Sequence, residues 1–301
     1  MTHPEISPPP NELDASWLAA TVARALDEDM GGNPGRDVTT QATIPATADV
    51  TGEVIAREPG VLAAVAVVRE TLAQVADRYQ LAAPSVELHL HDGDTMGRGD
   101  IIASLTGNGH VVLTAERTIL NLLSRASGIA THTRQWADAL AGTDCKVLDT
   151  RKTNPGMREL DKFAVRCGGG VNKRFGLYDV AMVKDNHVVA AGGVAAAITA
   201  IANKFPDVPV QVEVERLPQA MEAIDAGARF LMLDNMSNDA MTAVVAAVRE
   251  REAEVGKVWI EATGGLTVFR APSVAATGVD FMSVGALTHS SPILDIALDL
   301  H

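Results

Sequence analysis

Two short stretches carry the residue types that chemistry needs. DTRKTNPGMR runs from 149 to 158, and VNKR follows at 171–174 behind three consecutive glycines. Between Lys146 and Lys184 there are nine Lys or Arg against four Asp or Glu, in a chain whose net charge is −13. Arginine forks match carboxylates and phosphates, and lysine supplies a compact point charge. A local cationic surface on an acidic protein points to a small, strongly anionic ligand. Arg151, Lys152, Lys173, Arg174 and Lys184 are the candidate contacts beside Thr150, with Arg117 on the preceding helical stretch as a further one. Lys162 and Arg166, at i, i+4 spacing, read as ordinary solvated charges.

Carboxylates and glycines complete the candidate set. In QVEVER (211–216) the valines Val212 and Val214 face one way, and Gln211, Glu213 and Glu215 the other. An inward carboxylate is costly unless it meets a cation or hydroxyls. Glu213 and Asp234 (in FLMLDN) therefore suit a ligand that carries both phosphates and free hydroxyls, with Mg²⁺ bridging between them. TGGL holds Thr263, Gly264 and Gly265, and VGAL holds Val284, Gly285 and Ala286. Glycine lets backbone N–H groups approach a ligand, and a helix N-terminus favours an anion. The pair forms a phosphate cradle. His187 in KDNHV and His289 in LTHSS lack metal-ligand spacing and read as hydrogen-bonding residues. No GxSxG motif is present, which argues against acyl-transfer hydrolysis.

Elements must bring these residues together. Six short apolar runs alternate with helical stretches after residue 141: KVLDT (146–150), AMVKD (181–185), VQVEVE (210–215), FLMLDN (230–235), VWIEAT (258–263) and FMSVG (281–285). Buried parallel strands look like this, and the alternation signals βα units. No GxGxxG opens the first unit, which argues against a dinucleotide-binding sheet. Each run ends in a polar or glycine position, and in α/β barrels the active site is built from strand C-termini and the loops after them. The expectation is a barrel of six or seven strands. Before it, helical residues 14–28, with Asp14 or Ser16 as cap, lead into a strand at 50–58, a helix at 61–79, a strand at 86–91 and a glycine-marked β-hairpin around 91–105. That mixture reads as a small α+β domain. A long helix spans 114–141.

Composition bounds the rest. The 301 residues are 47% hydrophobic but only 4% aromatic, so the core must be largely aliphatic. The acidic balance argues against nucleic acid or an anionic membrane surface as partner for the whole molecule. Two cysteines form no disulfide framework, and no apolar run spans a bilayer, so the expectation is a cytoplasmic protein without a membrane span. The proline-rich residues 1–11 read as a flexible tail.

ERTILNLL, SGIAT, DTRKTNPGMR, KFAVRCGGGVNKR, KDNH, VEVE, LDN, GGL and VGALTHS, in that order, resemble quinolinate phosphoribosyltransferase. The resemblance runs from about residue 20 to the C-terminus. It implies an N-terminal α+β domain (12–127, with 288–301 packing back on it) and an open six- or seven-stranded α/β barrel (128–287). It implies transfer of phosphoribosyl from 5-phosphoribosyl 1-diphosphate to quinolinate with decarboxylation, giving nicotinate mononucleotide for NAD synthesis. Thr150, Arg151, Lys152, Lys173, Arg174 and Lys184 would line the quinolinate and diphosphate pocket, with Lys152, Lys184, Glu213 and Asp234 catalytic. Glu213 and Asp234 would hold the ribose hydroxyls and Mg²⁺, largely through substrate. Thr263, Gly264, Gly265, Val284, Gly285 and Ala286 would cradle a phosphate. It also implies a homodimer with shared active sites, Arg117 reaching in from the neighbouring subunit. The family usually has His where Lys173 stands, and Ser where Thr263 stands.

Other classes stay open at this level. A related phosphoribosyltransferase would act on another anionic ring. A Schiff-base aldolase would use Lys184 as nucleophile. A non-catalytic sensor would bind a phosphorylated sugar without turnover.

Overall fold

A computed structural model describes residues 12–301; the sequence-predicted tail at 1–11 lies outside the described residues. In chain order the first elements are α1 (Ala15–Met30), α2 (Val38–Thr43), β1 (Asp49–Ala56), β2 (Gly60–Val61), α3 (Ala66–Tyr79), β3 (Ser85–Leu88), β4 (Thr95–Met96), β5 (Ile101–Asn108) and α4 (Gly109–Ala139). Then come β6 (Lys146–Leu148), α5 (Arg158–Cys167), β7 (Ala181–Val183), α6 (Asp185–Ala191), α7 (Val194–Lys204), β8 (Val210–Val214), α8 (Leu217–Asp225) and β9 (Phe230–Asp234). The chain ends with α9 (Asn238–Val255), β10 (Trp259–Thr263), α10 (Ala271–Ala275), β11 (Phe281–Ser283), α11 (Ala286–His289) and β12 (Ile296–Leu300). No single helix among the described residues is long and apolar enough to cross a membrane; α6 and α7 meet that test only together, across an 84° bend.

The chain divides into two compact units. One comprises the described residues up to Arg134, with Asn154–Gly169 and Ser290–His301. Its sheet has the order β12-β1-β5-β3, with all neighbours antiparallel. Asp14 caps α1 by accepting from Trp17 N at 2.7 Å, and Gly31 ends it in the left-handed region at φ 77°. Between them Leu18, Val22 and Leu26 recur every fourth residue and are buried. The apolar run from residue 61 departs from the predicted helix. Val61 to Val65 form a short strand and a turn with Ala64 at φ 68°, so α3 begins only at Ala66. The expected hairpin is also wider than its glycines suggest: β3 pairs with β5, while β4, in the connection between them, pairs with β2. Lys162 is wholly buried on α5, and the Arg166 guanidinium lies 5.2 Å from the Phe163 ring. The reading of Lys162 as a solvated charge was wrong, whereas Arg166 remains partly exposed. Leu160 to Val165 are all enclosed, which periodicity alone does not reveal for so short a helix.

The second unit comprises Gln135–Thr153 and Gly170–His289. All six predicted apolar runs are strands in one parallel sheet of order β6-β11-β10-β9-β8-β7. The order follows the chain around a barrel, with no ladder joining β6 to β7, so the barrel is open at that seam. Val171 makes a single parallel bridge to Leu148, in place of a full seventh strand.

Strand periodicity sorts the side chains. Leu148, Phe230, Met232 and Phe281 cluster together, with Val171, Met182 and Trp259 packed on them. Phe230 and Phe281 stack at 5.9 Å, and Trp259 leans on Phe281 at 5.5 Å. These residues share one face of their strands. Two residues further along that face, Phe230 is followed by Met232 and then Asp234, and Trp259 by Glu261 and then Thr263. Register keeps the rows level: Trp259 lies beside Phe230, Glu261 beside Met232 and Thr263 beside Asp234. The intervening Leu231, Leu233, Ile260 and Ala262 point the other way and are buried.

Candidate active site

The last row of each inner stripe opens into a cavity of about 750 Å³. Its walls hold the cations Arg151, Lys152, Lys173, Arg174 and Lys184, the carboxylates Glu213, Asp234 and Glu261, and the turns at Thr263–Leu266 and Val284–Ala286. All of it belongs to the second unit.

The basic segment is held in place by a carboxylate. Asp149, wholly buried at the end of β6, accepts from Asn172 Nδ2 at 2.6 Å and from Lys173 N at 2.8 Å. This lays residues 171–173 along the barrel edge and turns Lys173 and Arg174 to the cavity. Arg174 donates to the Val180 carbonyl at 2.8 Å. Burial, and then the neighbouring Arg151 charge, push its guanidinium below the usual pKa, with Asp179 opposing. Like charges gathered at a cavity wall repel until an anion arrives, which is how an anion site is built. Lys152 is fixed through its backbone: its N donates to Thr150 Oγ1 at 3.1 Å, and its carbonyl accepts from Thr288 Oγ1 at 2.9 Å.

On the facing strands, Lys184 Nζ lies 3.4 Å from Glu213 Oε2. Burial raises the Glu213 carboxyl above its ordinary value; Lys184 counters this and Asp234 adds to it. Two coupled carboxylates beside one lysine suit a ligand with hydroxyls on one side and anionic groups on the other. His187 takes the role expected of it, its Nδ1 accepting from Lys184 N at 3.1 Å at the start of α6.

The glycine turns differ in construction. Gly264 has φ 84° and packs on Asn235, whose Nδ2 donates to Asp234 Oδ2 at 2.8 Å and whose N donates to the Thr263 carbonyl at 3.0 Å. A methyl group on Gly264 would meet Asn235 Cγ at 2.6 Å. Gly285 leaves room for Lys152, since a methyl there would lie 2.8 Å from Lys152 Cδ. The helices behind these turns are short, α10 with five residues and α11 with four. Backbone N–H groups of glycine turns, more than a long helix dipole, suit an anion in such a setting.

Beneath this rim lies a buried ion pair. Lys173 Nζ is 2.8 Å from Glu261 Oε1 and 2.7 Å from Oε2, with Met232 Sδ at 3.0 Å and the Phe230 ring centre at 5.8 Å. Ser283 also lines the cavity.

Thus Thr150, Arg151, Lys152, Lys173, Arg174, Lys184, Glu213, Asp234, Thr263, Gly264, Gly265, Val284, Gly285 and Ala286 line one cavity. Arg117 does not: it is exposed on α4, in the other unit. Glu261, Met232, Ser283, Asn235 and the anchoring Asp149 escaped the sequence reading. Three of them were within reach, because Met232, Glu261 and Ser283 stand two residues before Asp234, Thr263 and Gly285 and so share their face. Among the described residues no group of three His, Cys, Asp or Glu could hold a metal ion unaided.

Two family models match the chain. Quinolinate phosphoribosyl transferase, N-terminal domain, covers residues 37–127, and the C-terminal domain of the same name covers 129–299. The chain belongs to the quinolinate phosphoribosyltransferase family. Among similar members of that family is the nicotinate-nucleotide pyrophosphorylase [carboxylating] of Mycobacterium leprae, 45% identical over 291 residues, covering 96% of this chain and 98% of that protein. A quinolinate phosphoribosyltransferase [decarboxylating] of Nicotiana tabacum is 37% identical over 94% of this chain and 82% of its own. The solved nicotinate-nucleotide pyrophosphorylase of Francisella tularensis superposes with a TM-score of 0.86 at 35% identity, covering 100% of both chains. The family's two domains account for the antiparallel sheet and the parallel barrel described above.

Proposed function

We propose that this chain transfers the phosphoribosyl group of 5-phosphoribosyl 1-diphosphate to quinolinate with loss of CO₂, giving nicotinate mononucleotide and diphosphate. One observation carries the reading: five cations, two coupled carboxylates and two glycine turns face a single cavity in a chain of net charge −13. A dicarboxylate and a phosphorylated diphosphate sugar together need that arrangement.

The chemistry assigns roles. The pyridine nitrogen lone pair attacks ribose C1 as the C1–O bond to diphosphate breaks. Lys152 and Lys184 act on the leaving diphosphate, where negative charge develops, which is where a fixed cation lowers the barrier most. Arg151 and Arg174 hold the acceptor carboxylates by paired hydrogen bonds. The Gly264–Gly265 and Gly285–Ala286 turns hold the 5-phosphate through backbone N–H groups. Glu213 and Asp234 hold the ribose hydroxyls, which fixes the sugar for in-line attack. After transfer the ring nitrogen is positively charged. The C2–carboxylate bond then breaks, its electron pair stays at C2 beside that charge, and C2 takes up a proton as CO₂ leaves.

Glu213 and Asp234, two carboxylates on the cavity wall, fit a Mg²⁺ that keeps most of its oxygen ligands on substrate. When bound, Mg²⁺ neutralises diphosphate charge. Arg117, exposed on α4, supports a homodimer in which it serves the cavity of a neighbouring copy. The unbridged cysteines support a reducing compartment such as the cytoplasm. A Schiff-base role for Lys184 is disfavoured by its setting: it is half exposed beside Glu213, not enclosed in an apolar pocket.

The deciding assay follows CO₂ release with quinolinate, set against nucleotide formation with nicotinate, in the presence of phosphoribosyl diphosphate and Mg²⁺. The expected result is turnover with quinolinate alone. Preference for nicotinate, or binding without CO₂ release, overturns the assignment.

A further inference from the structure

We propose that Glu261 is a positioning residue that fixes the Lys173 ammonium at one point on the cavity floor, so that this lysine orients the acceptor's carboxylate. The proposal rests on the reaction assigned above and adds to it a residue that does not itself touch substrate.

Three observations lead there. Glu261 is wholly buried, yet its row on β10 faces the cavity, one step below Thr263. A buried carboxylate needs a cation, and Lys173 supplies it at 2.7 Å. Second, the contact spans the barrel. Lys173 starts from the segment pinned to β6 by Asp149, passes β11, and reaches Glu261 on β10. Both Glu261 oxygens engage it, and Met232 Sδ and the Phe230 ring border the same nitrogen. Third, lysine is flexible. An unrestrained ammonium loses about 2 kcal/mol of rotamer entropy when a ligand fixes it. Held beforehand by Glu261, it meets the ligand already ordered, which is what an orienting group requires. Its side chain is 7% exposed, so the only approach left to it is from the cavity.

The test uses Glu261→Gln, which keeps the volume and one acceptor oxygen but removes the charge. The expected outcome is a quinolinate KM raised at least about tenfold, or about 1.4 kcal/mol, with the KM for phosphoribosyl diphosphate within about threefold. A merely structural role moves both constants together or lowers only the active fraction. A second readout needs no turnover: reductive methylation with formaldehyde and dimethylamine–borane, with Lys173 followed by mass spectrometry. Lys173 should be protected in the wild type and react at least about tenfold faster in Glu261→Gln, as a buried pair that opens would. Should the single variant fold poorly, the double variant Glu261→Gln/Lys173→Met leaves no buried charge and should regain stability without regaining quinolinate affinity. Unchanged methylation in Glu261→Gln, a quinolinate KM within about threefold of wild type, or recovered affinity in the double variant each overturns the proposal. If the wild type releases no CO₂ from quinolinate, the assigned reaction fails by itself, and the methylation contrast still decides whether Glu261 holds Lys173.

Discussion

Gly264→Ala should be more damaging than Gly265→Ala, by about 2- to 13-fold, although the two glycines are adjacent and both have positive φ. The backbone cost is similar at φ 84° and φ 57°, about 1–2 kcal/mol for a residue with a Cβ. The surroundings differ. A methyl at Gly265 meets nothing nearer than 3.8 Å, whereas one at Gly264 strikes the Asn235 amide, at 2.6 Å from its Cγ. Asn235 must then move, and its 2.8 Å bond to Asp234 is lost, adding about 0.5–1.5 kcal/mol. The sum for Gly264→Ala is about 1.5–3.5 kcal/mol, equivalent to about 13- to 400-fold in kcat/KM if it is felt at the turn. For Gly265→Ala the backbone term alone gives about 5- to 30-fold. Steady-state CO₂ release at varied phosphoribosyl diphosphate measures both, and the loss should fall mainly on the KM for that substrate. Equal losses in the two variants would refute the role given to Asn235. A lowered melting temperature with an unchanged KM would show that the turn supports the barrel and cradles no phosphate.

Other expectations follow from the same geometry. Arg174→Ala should lose at least about a hundredfold in kcat/KM, as a lost charged, bidentate contact would, yet keep its fold, because Asp149 still anchors the segment through backbone and Asn172 contacts; wild-type turnover would remove Arg174 from the site. Arg117→Glu should be inactive alone, and mixing it with Lys184→Ala chains should restore part of the activity through hybrid dimers; no recovery in any mixture argues against a shared site. The Glu213 carboxyl titrates above 4.5 in the folded chain. Between 4.5 and that raised value the native state binds more protons than the unfolded chain, so this group's contribution to stability falls as pH rises through the window. Melting temperature against pH should therefore show a smaller decline across that window in Glu213→Gln, and an unaltered profile would contradict the raised value.

How much of this was written in the sequence depends on the kind of signal. All six barrel strands were legible, because buried parallel strands are short apolar runs and each ended in a polar or glycine position, such as Asp234, Lys184 or Gly285. The antiparallel unit was less so. Val61 to Val65 are as apolar as a helix interior, and only the turn at Ala64 shows where α3 must start. The connection carrying β4 looked like the arm of a hairpin because local glycine spacing cannot report which distant strand it will pair with. In the site, the cations announced themselves by standing against the chain's overall sign. Glu261 did not, since a single carboxylate amid VWIEAT gains meaning only from its alignment with Met232 and from the lysine that crosses to it. Lys162 was misread for the converse reason: its basic side chain suggested solvent, and only tertiary packing encloses it.

The inner stripes of the barrel have a consequence for how this scaffold tolerates change. Aromatic residues fill the foundation, one ion pair braces the storey above, and the side chains that meet small molecules stand at the roofline. Substitutions at Asp234 or Thr263 can retune what is recognised without removing masonry, whereas trimming Phe230 or Phe281 hollows the base and lets every residue above it sag. Directed evolution toward new acceptors should therefore collect its productive changes in alternate residues at strand ends, and its losses two and four positions earlier along the same strands.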